Sequence, residues 1–216
     1  NYTIASPILK KYGIPAIFYL TTSFLDENKM SWVDQIDHAV ENSKSNKIYF
    51  FDKLFSISSN NEKVYFLDYV RTFAKKNRDF FMNKEEHILE LFKQTKVPYC
   101  QSLSSPIDKK MSWGQAGELI KDPLFKIGGH THSHPIMSYL SEMELQDEIN
   151  TCLEKLRVIT DEPIIHFSYP EGLEFCYNKN VIEKLKMQGI RCCPTAVSGT
   201  NEYGEDLFNL KRVTVL

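Results

Sequence analysis

Apolar runs rich in β-branched and aromatic residues alternate with amphipathic segments along this chain of 216 residues. That order leaves few architectures open. TIASPILKKYG (residues 3–13) carries apolar residues at helical spacing and stops at Gly13, a natural helix end. IPAIFYLTT follows at once and reads as a buried strand. A helix feeding a strand through a Gly-Ile-Pro turn predicts an α/β unit with parallel strands. The same rhythm returns in the second half. MSWGQAGELIKDP reads as a helix, FKIGGHT as a strand, and SEMELQDEINTCLEKLRVIT as a long helix with Ser141 and Glu144 as a capping box. PIIHFSYP, NKNVIEKLKMQG and IRCCPTAV then read as strand, helix and strand, and DLFNLKRVTVL as a last strand. A parallel barrel and a doubly wound sheet both accommodate this order.

Between the two α/β stretches the texture changes. Over residues 25–110 the chain reads as a mainly helical insertion within one domain spanning 1–216. SWVDQIDHAVENS, NEKVYFLDYVRTFAKK and NKEEHILELFKQTK have helical periodicity, and NKIYFFDKLFSI alternates like a hairpin. Its Tyr and Phe residues fall at core spacing. The insertion is expected to shape one wall of a substrate groove.

Composition excludes several classes. Hydrophobic residues make up 42% and charged residues 25%, enough for an ordinary globular core. A formal net charge of −2 gives no electrostatic basis for binding nucleic acid or an anionic membrane. No apolar run approaches the roughly 20 residues of a membrane span. Five scattered cysteines argue against a disulfide framework and point toward a reducing, cytoplasmic compartment. Nothing in the sequence sets the oligomeric state.

Chemistry concentrates in GGHTHSHPIM (residues 128–137), which holds three of the six histidines. Imidazole is the commonest ligand for zinc-like ions, and the end of a strand is where α/β folds place their chemistry. Gly128 and Gly129 would permit tight backbone geometry before His130, and Pro135 stiffens the exit. His130 and His134 are the candidate ligands, with His132 between them. An H-x-H pair alone would also suit an amidohydrolase or a PHP-type phosphoesterase. Those folds open with the pair and need further ligands on later strands, whereas only His166 follows here.

Read as H-[ST]-x-x-H, His130-Thr131-His132-Ser133-His134 resembles the second motif of the polysaccharide deacetylases, the NodB-homology or carbohydrate esterase family 4 proteins. The likeness extends to MSWGQAGELIKDPLFKIGGHTHSHPIMSYLSEMELQDEI, a Trp-led helix, strand, His motif and helix with a downstream Glu-Ile. It also takes in FSYPEG and NYTIASPILKKYGIPAIFYLTTSFL. The resemblance implies an irregular (β/α) barrel of the seven-stranded, TIM-like type. It implies hydrolysis of N-acetyl or O-acetyl groups on a polysaccharide or glycoconjugate, with one divalent metal, zinc by preference. His130 and His134 would be metal ligands, and Thr131 would brace their loop through its hydroxyl. The backbone N–H of Glu171 would stabilise the oxyanion, and Tyr169 and Pro170 would contact substrate. Two parts of the pattern are missing. The Asp-Asp-Gly motif that supplies base and third ligand would precede Asn1, so the barrel is expected to lack its first strand and this chain to be impaired. No late histidine acid follows His166, and Arg212 offers at most a pocket charge. The alternative expectation is a non-catalytic carbohydrate-binding or scaffold domain of the same fold.

Overall fold

The computed structural model describes residues 1–102 and 109–215. Residues 103–108 of the expected insertion and Leu216 of the expected last strand lie outside the described residues. In chain order the principal elements are α1 (Ala5–Lys11), β1 (Ala16–Leu20), α2 (Thr22–Glu27), α3 (Trp32–Glu41), β2 (Lys47–Phe50), β3 (Lys53–Ser56), α4 (Asn60–Lys76), α5 (Arg78–Met82), α6 (Lys84–Thr95), α7 (Trp113–Leu119), β4 (Phe125–Gly129), α8 (Glu142–Arg157) and α9 (Lys179–Met187). The chain divides into two compact units, Asn1–Asn28 with Lys110–Leu216, and Lys29–Lys109. Among the described residues no helix is long and apolar enough to cross a membrane.

The first unit is an α/β layer. β1 and β4 run parallel, from Ala16 opposite Phe125 to Leu20 opposite Gly129. Parallel bridges then join Gly129 to Phe167 and His166 to Cys192, which sets the order β1, β4, 166–168, 192. The expected strands 163–170 and 190–197 therefore pair in the predicted sense, but as short bridged segments. Pro163, Pro170 and Pro194 lack the N–H that a longer ladder needs. The expected last strand is mostly irregular over its described residues, with one bridge from Arg212 to Ser198.

Helix α8 supplies much of the cover. Its Leu145, Ile149, Cys152, Leu153 and Leu156 are buried at helical spacing in one core with Phe18, Leu20, Ile127 and Phe167. Each fully buried Leu or Ile side chain contributes about 1.5–3 kcal/mol relative to leaving it exposed. The Ser141–Glu144 capping box is present, with each side chain accepting from the other's backbone N–H. The same device starts α3 (Ser31–Asp34), α4 (Ser59–Glu62) and α7 (Ser112–Gln115). At the other end of the chain, Gly13 adopts φ +63° just after α1, the left-handed turn that glycine makes without penalty.

The second unit packs α3, α4, α5 and α6 with the β2–β3 hairpin, whose register runs from Lys47 opposite Ser56 to Phe50 opposite Lys53. Phe50 is its hub. The rings of Phe66, Tyr69, Phe73 and Phe80 meet Phe50 edge-on at centroid distances of 5.9, 6.2, 5.5 and 5.5 Å. Such edge-to-face pairs add to burial about 0.5–1.5 kcal/mol each.

Gly128 and Gly129 serve a purpose other than backbone freedom. Both lie on β4, and neither is among the residues with positive φ. A Cβ on Gly129 would meet the Phe167 ring at 2.5 Å, and one on Gly128 would meet the Tyr19 ring at 2.7 Å and the His166 carbonyl oxygen at 2.9 Å. The missing side chains let neighbouring strands and rings close beneath the histidine loop. Gly129→Ala is expected to lower stability by about 1–3 kcal/mol through overpacking. Gly117→Ala, on α7 with nothing within 4 Å, is expected to raise it by about 0.5–1 kcal/mol. Urea unfolding midpoints of the two variants test the contrast.

Candidate active site

The histidine loop begins where β4 ends. Its path requires two non-glycine residues in the left-handed region, Thr131 at φ +63° and His134 at φ +62°. Such a conformation is uncommon outside glycine and persists only where surrounding bonds hold it. The Thr131 hydroxyl is the first of these. It donates to the His130 carbonyl at 2.6 Å and accepts from the His134 backbone N–H at 3.0 Å, and the residue is fully buried. One hydroxyl thus closes the turn that brings the two histidines together.

The rings of His130 and His134 lie 4.8 Å apart between centroids, inclined at 75°. Nδ1 of His130 is 2.7 Å from the Ser168 carbonyl oxygen. A carbonyl only accepts, so Nδ1 carries the proton and Nε2 keeps the lone pair. Burial, the neighbouring His134 and the Arg212 charge hold His130 down to about 3, against an ordinary 6.5. The ring is therefore neutral at physiological pH, the form in which imidazole binds metals. His134 stacks on Phe24 at 6.3 Å and 23°.

His132 turns elsewhere, its Nδ1 lying 2.8 Å from the Thr22 hydroxyl. Residues 20–23 run along the loop. Leu20 O accepts from His130 N, Thr22 N and Ser23 N donate to the carbonyls of Thr131 and His132, and the Thr21 hydroxyl donates to His130 O. Glu148 on α8 closes the loop through its carboxylate. Its Oε2 accepts from the backbone N–H groups of His132 at 2.8 Å and Ser133 at 2.9 Å, and its Oε1 accepts from the Ser133 hydroxyl at 2.5 Å. Neither Glu148 nor the 20–23 segment stands out by residue type. The only sequence signal for Glu148 is its place in the Glu-Ile pair downstream of the histidines.

Across from the loop, Glu171 adopts φ +59° and Gly172 φ +62°, and the Glu171 carboxylate lies close enough for its charge to favour protonated His130. A Cβ on Gly172 would meet Ala196 N at 2.7 Å, so this turn sits tightly on its neighbour. Tyr169 is 1% exposed, its hydroxyl donating to Phe208 O at 3.0 Å and its ring stacked on Tyr177 at 4.1 Å. Pro170 is buried as well. The Tyr169 side chain, expected against substrate, is placed in the core instead, because its hydroxyl finds a backbone acceptor there. Arg212 donates through Nε to the Thr195 carbonyl, and its charge reaches His130 and Tyr19.

Among the described residues no third His, Cys, Asp or Glu joins His130 and His134 in a metal-holding group. Asp26 is committed to Trp113 Nε1 at 2.9 Å and Lys155 Nζ at 3.1 Å. His166 lines a separate cavity of about 140 Å³ with Phe125, Ile127, Pro163 and Ile164. Its Nδ1 is buried with no hydrogen-bond partner among the described residues.

Comparison with known proteins follows the same lines. A family model described as polysaccharide deacetylase matches residues 78–193. The BpsB deacetylase domain of Bordetella bronchiseptica superposes with a TM-score of 0.56 at 16% identity, over 98% of this chain and 65% of that one. A de-N-acetylase from Aggregatibacter actinomycetemcomitans gives 0.53 at 15%, over 98% and 64%. At these identities the likeness is one of fold, and the chain spans less than two thirds of either relative. No curated protein matches by sequence.

The His130 environment has a measurable consequence. Its folded value lies below the ordinary one, so between pH 6.5 and about 3 the unfolded chain binds more protons than the folded one. Stability from this group is complete above pH 6.5 and declines as the pH falls through that window. Ring ¹⁵N NMR is expected to show His130 neutral at pH 5, titrating near 3, and urea unfolding of His130→Gln to show a shallower acid loss. A ring midpoint near 6.5 would contradict the burial argument.

Proposed function

The chain belongs to the polysaccharide deacetylase family, and from that premise we propose that His130 and His134 hold a divalent cation, zinc by preference, in a hydrolase that removes acetyl groups from a polysaccharide or glycoconjugate. The observation that carries this reading is the pair of imidazoles at 4.8 Å, one of them neutral and oriented through Nδ1. The donor set fits such an ion in kind, since neutral imidazole suits zinc and its neighbours. When bound there, the cation supplies Lewis acidity toward an acetyl carbonyl.

The chain's own residues do the rest. The Ser168 carbonyl keeps the His130 proton on Nδ1, so Nε2 is the ligating atom. The Thr131 hydroxyl sets the spacing of the two ligands. The Glu171 backbone N–H is the donor for the developing oxyanion, presented by a left-handed turn. Tyr169 and Pro170 support that turn from within the core. The parallel order β1, β4, 166–168, 192 supports reading the first unit as part of an irregular (β/α) barrel, with the pair at the carboxyl ends of its strands.

Two imidazoles are fewer protein donors than a catalytic zinc site ordinarily has. Residues 1–216 are therefore expected to bind zinc weakly and to release acetate from N-acetylglucosamine oligomers only slowly. Competition with a chromophoric chelator measures the first and mass spectrometry of the oligomers the second. His130→Ala and His134→Ala are each expected to abolish zinc binding, while His132→Ala retains it. Undiminished uptake by the first two variants would remove the basis of the proposal, and brisk turnover would reveal a catalytic base within residues 1–216.

A further inference from the structure

We infer that Glu148 is a positioning residue for the histidine pair, setting the geometry of His130 and His134 through the backbone between them. This rests on the reading of those histidines as ligands. Glu148 touches neither ring. Its carboxylate takes three hydrogen bonds from His132 and Ser133, two of the three residues that separate the ligands, at 2.8, 2.9 and 2.5 Å. Hydrogen bonds to an ionised acceptor are roughly twice as strong as neutral ones. Both oxygens are used, so the carboxylate fixes the rotation of the 132–133 peptides as well as their position.

That rotation matters because the loop passes through the left-handed region at Thr131 and again at His134. The Thr131 hydroxyl ties the ends of the turn, and residues 20–23 hold its outgoing carbonyls. The N–H groups of His132 and Ser133 point away from that segment and toward α8, where Glu148 takes both. Carbonyls are thus held on one side and N–H groups on the other. The α8 frame is rigid at this point, since Leu145 and Ile149, on either side of Glu148 along the helix, are at most 1% exposed. The helix therefore transmits the position of the core to the ligand loop through one half-buried carboxylate.

Removing the carboxylate leaves two N–H groups without their acceptor and frees the turn to relax, which spreads the two rings. Groups hydrogen-bonded directly to metal ligands alter metal affinity by about 10–100-fold when lost, and Glu148 acts one step further out through the loop backbone, so the lower end of that range applies. Glu148→Ala is expected to weaken zinc binding by about tenfold or more. Glu148→Gln keeps one oxygen for the two N–H groups, and the Ser133 hydroxyl can turn round to accept from its amide. It is expected to recover most of the affinity, to within about threefold of the parent, a rescue that loss of helix packing would not produce.

The test uses the whole chain and two readouts. Zinc affinity by chelator competition is read for the parent, Glu148→Ala and Glu148→Gln. Amide hydrogen exchange is read without metal, where protection at His132 and Ser133 is expected to fall about tenfold or more in Glu148→Ala, with Ile149 and Leu153 unchanged. Equal zinc affinity in the parent and Glu148→Ala overturns the inference and leaves the ligand assignment standing. Unchanged protection at His132 and Ser133 overturns it also. A parent that binds no zinc at any attainable concentration overturns the ligand assignment itself, and the inference with it. Exchange that rises throughout α8 assigns Glu148 to helix stability and overturns the positioning role.

Discussion

Two imidazoles four positions apart on an extended strand would not meet, because 13 Å or so of backbone would separate their attachment points. They meet here because the chain turns left-handed at Thr131 and again at His134, and one buried hydroxyl bridges the carbonyl of the first histidine to the N–H of the second. Everything attributed to the site depends on that turn. Its unfavourable backbone torsions are offset by a dense set of hydrogen bonds, from Leu20, Thr21, Thr22 and Ser23 on one side and Glu148 on the other. The loop is consequently an extension of the sheet and of α8 rather than an independent surface segment.

The layer beneath it is arranged to allow this. Gly128 and Gly129 carry no Cβ where Tyr19, the His166 carbonyl and Phe167 close in. Phe167 and Ser168 can then lie beside β4, and Ser168 presents its carbonyl to His130 Nδ1. A single hydrogen bond selects the tautomer, and burial keeps the ring neutral. Packing at the strand level and the protonation of His130 are thus connected through Gly129, Phe167 and Ser168.

Several parts of this were legible in the residues. The helix–strand order, the parallel sense of the strands, the capping box at Ser141 and the histidine cluster at the end of β4 all follow from local patterns with well-understood causes. The parts misread share a different character. Gly128 and Gly129 suggest backbone freedom, yet they answer to space, because what crowds a glycine depends on residues far away in sequence. Tyr169 suggests a substrate contact beside a motif proline, yet its hydroxyl is spent on Phe208, 39 positions away. The strands at 163–170 and 190–197 shorten because prolines interrupt their ladders.

By itself, the sequence determined the alternation of elements, the helix starts and the clustering of histidines at one strand end, since propensity, capping and residue spacing act within a few residues. Only the tertiary structure decided which nitrogen of His130 is available, where the N–H groups of His132 and Ser133 go, and which side chains are hidden. Those outcomes rest on hydrogen bonds between residues 15 to 110 positions apart. No local pattern encodes such pairings; they exist only once the core has brought β1, β4 and α8 into contact.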